Sequence, residues 1–266
     1  MPRSLSTLLQ CILNQNPTIL ATPTDPVLEF LYAARANYSS TPEAKAMNQT
    51  LAREVWRGFC HGGLYGYAHA YSDKPNLCIK TRGASIHYRW FQAFMTSKPK
   101  MVCMVRDMRC IMASMEKIFR KGAESHQPIQ NHVQMTGTTT QKRVAIWASS
   151  QPVGMACERL QQTFLEGISK EMLFIKAEDL TGQPAREMQR LYDYLELPYY
   201  PHNFDHVPQT VHEDDSVYGL GADLHTIRSR VMPLKDDSLE ILGAETCQWI
   251  DGTFAWYQHQ FGYQPL

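Results

Sequence analysis

No run of apolar residues in this chain approaches the roughly 18 that a membrane-spanning helix requires. A start resembling a signal peptide fails too, because Gln10, Asn14, Gln15 and Asn16 interrupt the apolar stretch that follows Arg3 too early. Charge of one sign is also lacking. Lys plus Arg and Asp plus Glu are 26 each, so no overall field exists to hold nucleic acid or an anionic membrane, and any anion site must be local. The seven cysteines (Cys11, Cys60, Cys78, Cys103, Cys110, Cys157, Cys247) include no C-x-x-C pair and are odd in number. That argues against a disulfide framework or a zinc knuckle, and for small buried hydrophobes in a reducing cytoplasm. The Gly-Lys-Ser/Thr of an ordinary ATP or GTP loop is absent, as is a Walker B strand ending in Asp. No internal repeat or low-complexity tract occurs. What remains is a chain of 266 residues, 44% apolar, long enough to bury one large core, and a single domain over residues 1–266 is expected.

Helical and strand signals alternate along it, the signature of a parallel sheet with helices on its faces. Short apolar runs at residues 18–21, 77–80, 101–105 and 172–176 have the length of buried strands. Helical patterns lie between them. They cover residues 7–16, a helix entered at Asp25-Pro26, a longer one from Thr41-Pro42-Glu43 that should break at Gly62-Gly63, and one capped by Asp107. Another runs from about Thr140 and is bent by Pro152, one starts at Gln183-Pro184, and a final helix or pair spans residues 238–261. Residues 122–137 are the expected central loop.

The opening, Met1-Pro2-Arg3-Ser4-Leu5-Ser6-Thr7, runs straight into Leu8, Leu9, Ile12 and Leu13. A basic residue and hydroxyls at the start of a helix can present N–H groups to an anion, although a solvated helix N-terminus reads the same way. Two further segments are Met104-Val105-Arg106-Asp107 with Ser114, and residues 172–180 ending Lys176-Ala177-Glu178-Asp179-Leu180. In order and spacing the three resemble the sulfotransferases that use 3′-phosphoadenosine-5′-phosphosulfate (PAPS), with their PRSGST-like loop, VRDPR followed by Ser, and YEDL-like strand end. The resemblance covers nearly the whole chain, including Asn16-Pro17, residues 195–198 and the stretch from Tyr218, Gly219 and Gly221 to Arg228. It is nearest the short soluble phage and bacterial type.

The resemblance implies a three-layer α/β sandwich with a central parallel sheet, related to the P-loop nucleotide kinases. It also implies a soluble cytoplasmic enzyme that needs no metal and transfers a sulfuryl group from PAPS to an acceptor hydroxyl or amine. Arg3, Ser4, Leu5, Ser6 and Thr7 would hold the 5′-phosphate, with Arg3 also stabilising charge in the transfer. Arg106 and Ser114 match the residues that bind the 3′-phosphate, and Arg228, with Arg230, lies where basic residues of the cofactor lid help. Arg106 paired with Asp107 or Glu116 and solvated loop arginines are the competing readings. Lys80 stands in the place of the family's Lys-Thr-His lysine, but Arg82 replaces the histidine. As acceptor base, Asp25 beside Thr24 and His87 are candidates, the first equally good as a helix cap and the second as a polar residue opening a helix. Tyr88, Trp90 and Trp147 are available to stack on adenine or to fill the core.

Two departures from the family pattern stand out. Leu5 replaces a glycine, which costs on the order of 1–2 kcal/mol if the position needs a positive φ. Met1 aligns with an internal residue of the pattern, which predicts that the anion-loop strand precedes it. The sheet should then have a vacancy between the strand ending at Lys80 and the one ending at Arg106. Three functional classes fit: an active sulfotransferase, a non-catalytic or decayed PAPS-binding relative, and, least well, a small-molecule kinase. No motif reports the acceptor.

Overall fold

The computed structural model describes residues 1–124, 137–218 and 224–266. Nearly all of the central loop expected at 122–137, and the glycines Gly219 and Gly221, lie outside the described residues. Four strands form among the described residues: β1 (Ile19–Thr24), β2 (Asn76–Lys80), β3 (Met101–Val105) and β4 (Met172–Lys176). The helices are α1 (Ser6–Leu13), α2 (Val27–Ser40), α3 (Pro42–Ala46), α4 (Gln49–Tyr71), α5 (Tyr88–Phe94) and α6 (Met108–Glu124). They continue with α7 (Thr140–Ser149), α8 (Val153–Leu165), α9 (Ala177–Gly182), α10 (Pro184–Leu195), α11 (Ser238–Leu242), α12 (Ala244–Thr253) and α13 (Ala255–Gln260).

All strand pairing is parallel. β3 and β4 run in unbroken register from Met101 opposite Met172 to Val105 opposite Lys176. β1 and β2 pair from Ile19 opposite Asn76 and slip between Ala21 and Thr24. The slip has a local cause: Pro23 has no N–H to give, and the Thr22 hydroxyl accepts the Lys80 N–H at 3.1 Å instead. β1 therefore reaches three residues beyond the apolar run that signals it.

Side-chain alternation along β3 builds the layers. Val102 and Met104 pack into a core with α1, Ile175, Leu180 and the inner face of α10, while Cys103 and Val105 enter a second core with α6, Val144, Trp147 and the C-terminal helices. Helices thus cover both faces, as a parallel sheet requires. A third cluster joins α2, α4 and α5 through Leu28, Leu31, Cys60 and Phe91. Tyr88 and Trp147, read as possible adenine stackers, are fully buried.

Among the described residues β1–β2 and β3–β4 form two separate two-stranded sheets, an interruption of the single sheet the resemblance implies, and every residue of β2 is only half-buried. The Met1 ammonium donates to the Met104 carbonyl at 2.7 Å, so the chain start lies along β3.

Two helices differ from the sequence reading or sharpen it. α4 does not break at Gly62-Gly63 but continues to Tyr71. Each helical glycine costs about 1 kcal/mol, less than the roughly 1.5–3 kcal/mol gained by burying a large apolar side chain such as Leu64, and Gly63 lies against Leu31. At Pro152 the pattern does split, into α7 and α8, and Gly154 lets the two approach.

A Cβ on Gly154 would lie 2.3 Å from the Ala148 carbonyl oxygen, a backbone atom that no rotamer change can move. Gly154→Ala should therefore lose about 1–3 kcal/mol in urea unfolding, against the gain of about 1 kcal/mol that helix propensity alone gives. Stabilisation would show that the approach is not tight. A second expectation concerns the interruption. A segment of about six to ten residues ending in an apolar strand and Ser-Gly, fused ahead of Met1, should raise Tm by several degrees by pairing strand edges, at roughly 1 kcal/mol per backbone hydrogen bond. An unchanged Tm would mean that the strand edges gain nothing from another strand.

Candidate active site

The site begins at the N-terminus of α1. That helix has no side-chain cap, so the N–H groups of its first turn receive no acceptor from the cap residue, Leu5. Leu5 precedes it in the left-handed region, φ 64°, and Arg3 is left-handed too, φ 53°. Neither is glycine, so the turn carries strain of roughly 1–2 kcal/mol per residue. The Leu5 side chain packs against the α1 core rather than standing in the open. Ser4 is fully buried and its hydroxyl donates to the Met1 carbonyl at 2.5 Å, which ties the turn to itself.

From this turn the Arg3 side chain reaches two other elements. Its Nε donates to Ser114 Oγ of α6 at 3.1 Å, and its Nη1 donates to the Leu224 carbonyl. Arg106, at the end of β3, donates from Nη1 to the Arg3 carbonyl at 3.0 Å. Arg3, Arg106 and Ser114 are thus brought together. Burial, and then the charge of Arg106, lower the affinity of the Arg3 guanidinium for its proton, with Asp215 opposing them.

The carboxylates beside Arg106 are committed elsewhere. Asp107 caps α6 by accepting the Arg109 N–H at 2.8 Å and binds the Arg109 guanidinium at 2.7 Å. Glu116 is taken by Arg143 at 2.6 Å and Arg120 at 2.8 Å. Glu178, in the β4-end motif, accepts the Asp107 N–H at 3.1 Å and the Tyr263 hydroxyl at 3.0 Å, holding the two strand ends together. The Arg106 backbone is pinned on both sides by the Tyr257 hydroxyl, yet its nine-tenths buried side chain keeps an Nε with no partner.

A second group of charges borders the turn. Lys80, the last residue of β2, donates to Thr7 Oγ1 at 3.3 Å and to Glu213 Oε1 at 2.7 Å. Glu213 also accepts the Thr24 N–H at 2.9 Å, its hydroxyl at 3.0 Å and the Tyr218 hydroxyl at 2.8 Å. Beyond it, His225 Nδ1 lies 2.5 Å from Asp215 Oδ1 and its Nε2 lies 3.5 Å from Glu213 Oε2. Arg82 stacks over the Tyr218 ring at 4.9 Å.

The sequence profile of the sulfotransferase family matches residues 1–201. The chain belongs to that family. It is similar in structure to the sulfotransferase domain from the curacin biosynthetic pathway, at 16% identity and a TM-score of 0.49, covering 100% of this chain and 96% of that one. It is also similar to the sulfotransferase domain from the Synechococcus PCC 7002 olefin synthase, at 12% identity and a TM-score of 0.45, covering 91% and 90%. No curated protein matches.

In this sulfotransferase-family chain the other sequence candidates fall elsewhere. Asp25 is buried and consumed locally: Oδ1 accepts the Val27 N–H at 2.8 Å, and Oδ2 accepts the hydroxyls of Tyr71 at 2.8 Å and Tyr67 at 3.1 Å. His87 packs against Tyr32, whose hydroxyl is 2.6 Å from Nδ1, and burial followed by the charges of Arg159 and Arg35 pushes its pKa down. Among the described residues, no hydrogen bond or ion pair joins either to the Arg3 turn. Arg228 is exposed, and Arg230 pairs with Asp205 at the surface. Glu213, Asp215 and His225 escaped the sequence reading. No helical or strand period carries a contact between residues 133 apart, the separation of Lys80 and Glu213. No helix among the described residues is long and apolar enough to cross a membrane.

Burial alone raises the pKa of Glu213, but hydrogen bonds from Lys80 and the Thr24 N–H, the Lys80 charge and the Tyr218 hydroxyl outweigh it and bring it to about 2. A depressed carboxylate contributes stability above its unfolded value of 4.5, and that contribution is lost as pH falls through about 2. Glu213→Gln should therefore be less stable at pH 7 by on the order of 3 kcal/mol. Its denaturant midpoint should also fall less steeply than that of the parent between those pH values. Parallel curves would mean that Glu213 is not held as an anion.

Proposed function

We propose that this chain transfers a sulfuryl group from PAPS to a hydroxyl or amine of an acceptor. The observation that carries the proposal is the pair of guanidiniums at the N-terminus of α1. Arg3 and Arg106 stand together, neither has a carboxylate ion pair among the described residues, and Arg106 keeps an unpartnered buried Nε. Two fixed cations beside free helix N–H groups fit a dianionic ligand far better than a neutral one. The donor's phosphates supply such charge at two places.

In this reading Arg3, Ser6, Thr7 and the first N–H groups of α1 hold the 5′-phosphate, and Arg106 with Ser114 holds the 3′-phosphate. When bound, PAPS supplies the activated sulfuryl group. Arg3 stays protonated at any working pH and forks two oxygens, so it stabilises the charge left on the departing phosphate and moves no proton. Lys80, between Thr7 and Glu213, places a further cation where that charge develops. The seven cysteines are all unpaired, which suits a cytoplasmic setting. A second reading, a PAPS-binding relative without transfer, is favoured by Leu5 in the left-handed region, where a side chain stands in a turn that should pass close to phosphate.

Titration with 3′-phosphoadenosine 5′-phosphate (PAP) and with ATP tests the ligand. Tight binding of ATP alone would overturn the proposal, and a sulfate-transfer assay separates the two readings. Arg106→Ala should weaken PAP by about 10- to 100-fold, the 1.5–3 kcal/mol of hydrogen bonds to a charged group, while leaving adenosine 5′-phosphosulfate nearly unchanged. Equal losses for the two ligands would place Arg106 in the fold rather than at the 3′-phosphate.

A further inference from the structure

Resting on the sulfuryl-transfer reading, we propose that His225, oriented by Asp215, is the general base that takes the acceptor's proton. The family resemblance leaves that role vacant here, because Arg82 stands where a histidine is expected, and Asp25 and His87 are tied into local contacts away from the Arg3 turn.

Two independent contacts tie the His225 segment to the Arg3 turn. Arg3 holds the carbonyl of the preceding residue, Leu224, and the path Thr7, Lys80, Glu213, His225 is continuous at 3.3, 2.7 and 3.5 Å. The segment is also fixed behind the ring: Gln209 Nε2 donates to the His225 carbonyl at 3.1 Å, and the His225 N–H donates to Asp215 Oδ2 at 3.1 Å.

The shorter of the ring's two carboxylate contacts holds the Nδ1 proton: Asp215 Oδ1 is 2.5 Å from Nδ1, while Nε2, 3.5 Å from Glu213 Oε2, is the nitrogen left to exchange a proton. The groups facing the ring are Asp215, Glu213 and Tyr218 from its own segment, with Lys80 of β2 and Arg3 of the turn one contact further. Glu213 cannot take the role itself, since Lys80, Thr24 and Tyr218 hold it as a weakly basic anion. Its Oε2 does face Nε2, so an imidazolium formed there sits between two carboxylates.

The step balances without another reactant. His225 Nε2 removes the acceptor O–H proton as that oxygen bonds to sulfur. The bond from sulfur to the bridging phosphate oxygen breaks, its electron pair passing to the 5′-phosphate beside Arg3. Asp215 touches no reacting atom and acts as a positioning residue.

Water can stand in for the acceptor hydroxyl, so hydrolysis of PAPS to PAP and sulfate is the assay, with PAP binding measured alongside. His225→Ala should bind PAP as tightly as the parent and lose about 100-fold or more in turnover. It should also recover turnover with added imidazole. In the ligand-free protein, NMR of the neutral ring should place its proton on Nδ1, a preference that Asp215→Ala removes. Turnover of His225→Ala within threefold of the parent overturns the proposal, as does a neutral ring protonated on Nε2. PAP affinity falling in step with turnover also overturns it, giving His225 a role in holding the segment. A parent chain that binds PAP but never turns PAPS over removes the base and leaves a cofactor-binding protein. A parent chain that does not bind PAP brings down the sulfuryl-transfer reading itself.

Discussion

Two like charges sharing one largely buried patch set the terms for the rest of this structure. Arg3 and Arg106 meet where the α1 turn crosses the end of β3, and the charge of Arg106 already weighs on the Arg3 guanidinium. Like charges near one another in a partly desolvated patch repel. A fold selected only for stability would place a carboxylate between them. Carboxylates are close at hand in sequence, yet Asp107 is locked to Arg109 and Glu116 to Arg143 and Arg120. Those ion pairs hold α6 to its neighbours and at the same time withhold negative charge from the turn. The positive field at the turn is thus a product of where the neighbouring ion pairs go, with Asp215 the carboxylate that opposes it at Arg3.

The scaffold keeps that arrangement from relaxing. Tyr257 both donates to and accepts from the Arg106 backbone, so the arginine cannot swing away from Arg3 by moving its main chain. Met1 binds the Met104 carbonyl, and Ser4 binds the Met1 carbonyl, which holds the turn in its left-handed path at Arg3 and Leu5. Strain and repulsion coincide at the same few residues, and both are stored in a region braced by buried hydrogen bonds. Local rules broken together at one place, with the surroundings otherwise consistent, mark function more than error.

What the sequence disclosed followed from how local each signal was. β2, β3 and β4 were legible because buried parallel strands are continuous apolar runs, whereas β1 was read short because the Thr22 hydroxyl continues the pairing past the apolar run by accepting the Lys80 N–H in place of a ladder carbonyl. The break expected in α4 was wrong because glycine's cost is local and the burial of Cys60 and Leu64 against α2 is not. At the site, Arg3, Arg106 and Ser114 were nameable from a motif whose spacing encodes their meeting. Asp25 and His87 looked like bases because a sequence shows a titratable group but not the Tyr67, Tyr71 and Tyr32 hydroxyls that occupy it. Glu213, Asp215 and His225 were invisible for the converse reason, since their meaning lies in contacts with β1, β2 and the opening turn.

The two halves of the site differ in how they answer to acid, and that follows from their chemistry alone. An arginine guanidinium is not deprotonated in a protein, so the half of the site built on arginines has no switch in it. The other half is made of groups that titrate. Glu213 gathers the ends of β1 and β2, Thr7's neighbour Lys80 and the 213–225 segment onto one carboxylate, and His225 stands against it with Asp215 behind. Protonating that carboxylate would release Lys80 and the segment together, while the arginine pair kept its geometry through Tyr257 and Ser114. The two arginines and the Glu213 cluster are therefore mounted on separate supports, joined among the described residues by the Thr7 to Lys80 and Arg3 to Leu224 contacts. Loss of the Glu213 anion would loosen one support and leave the other standing.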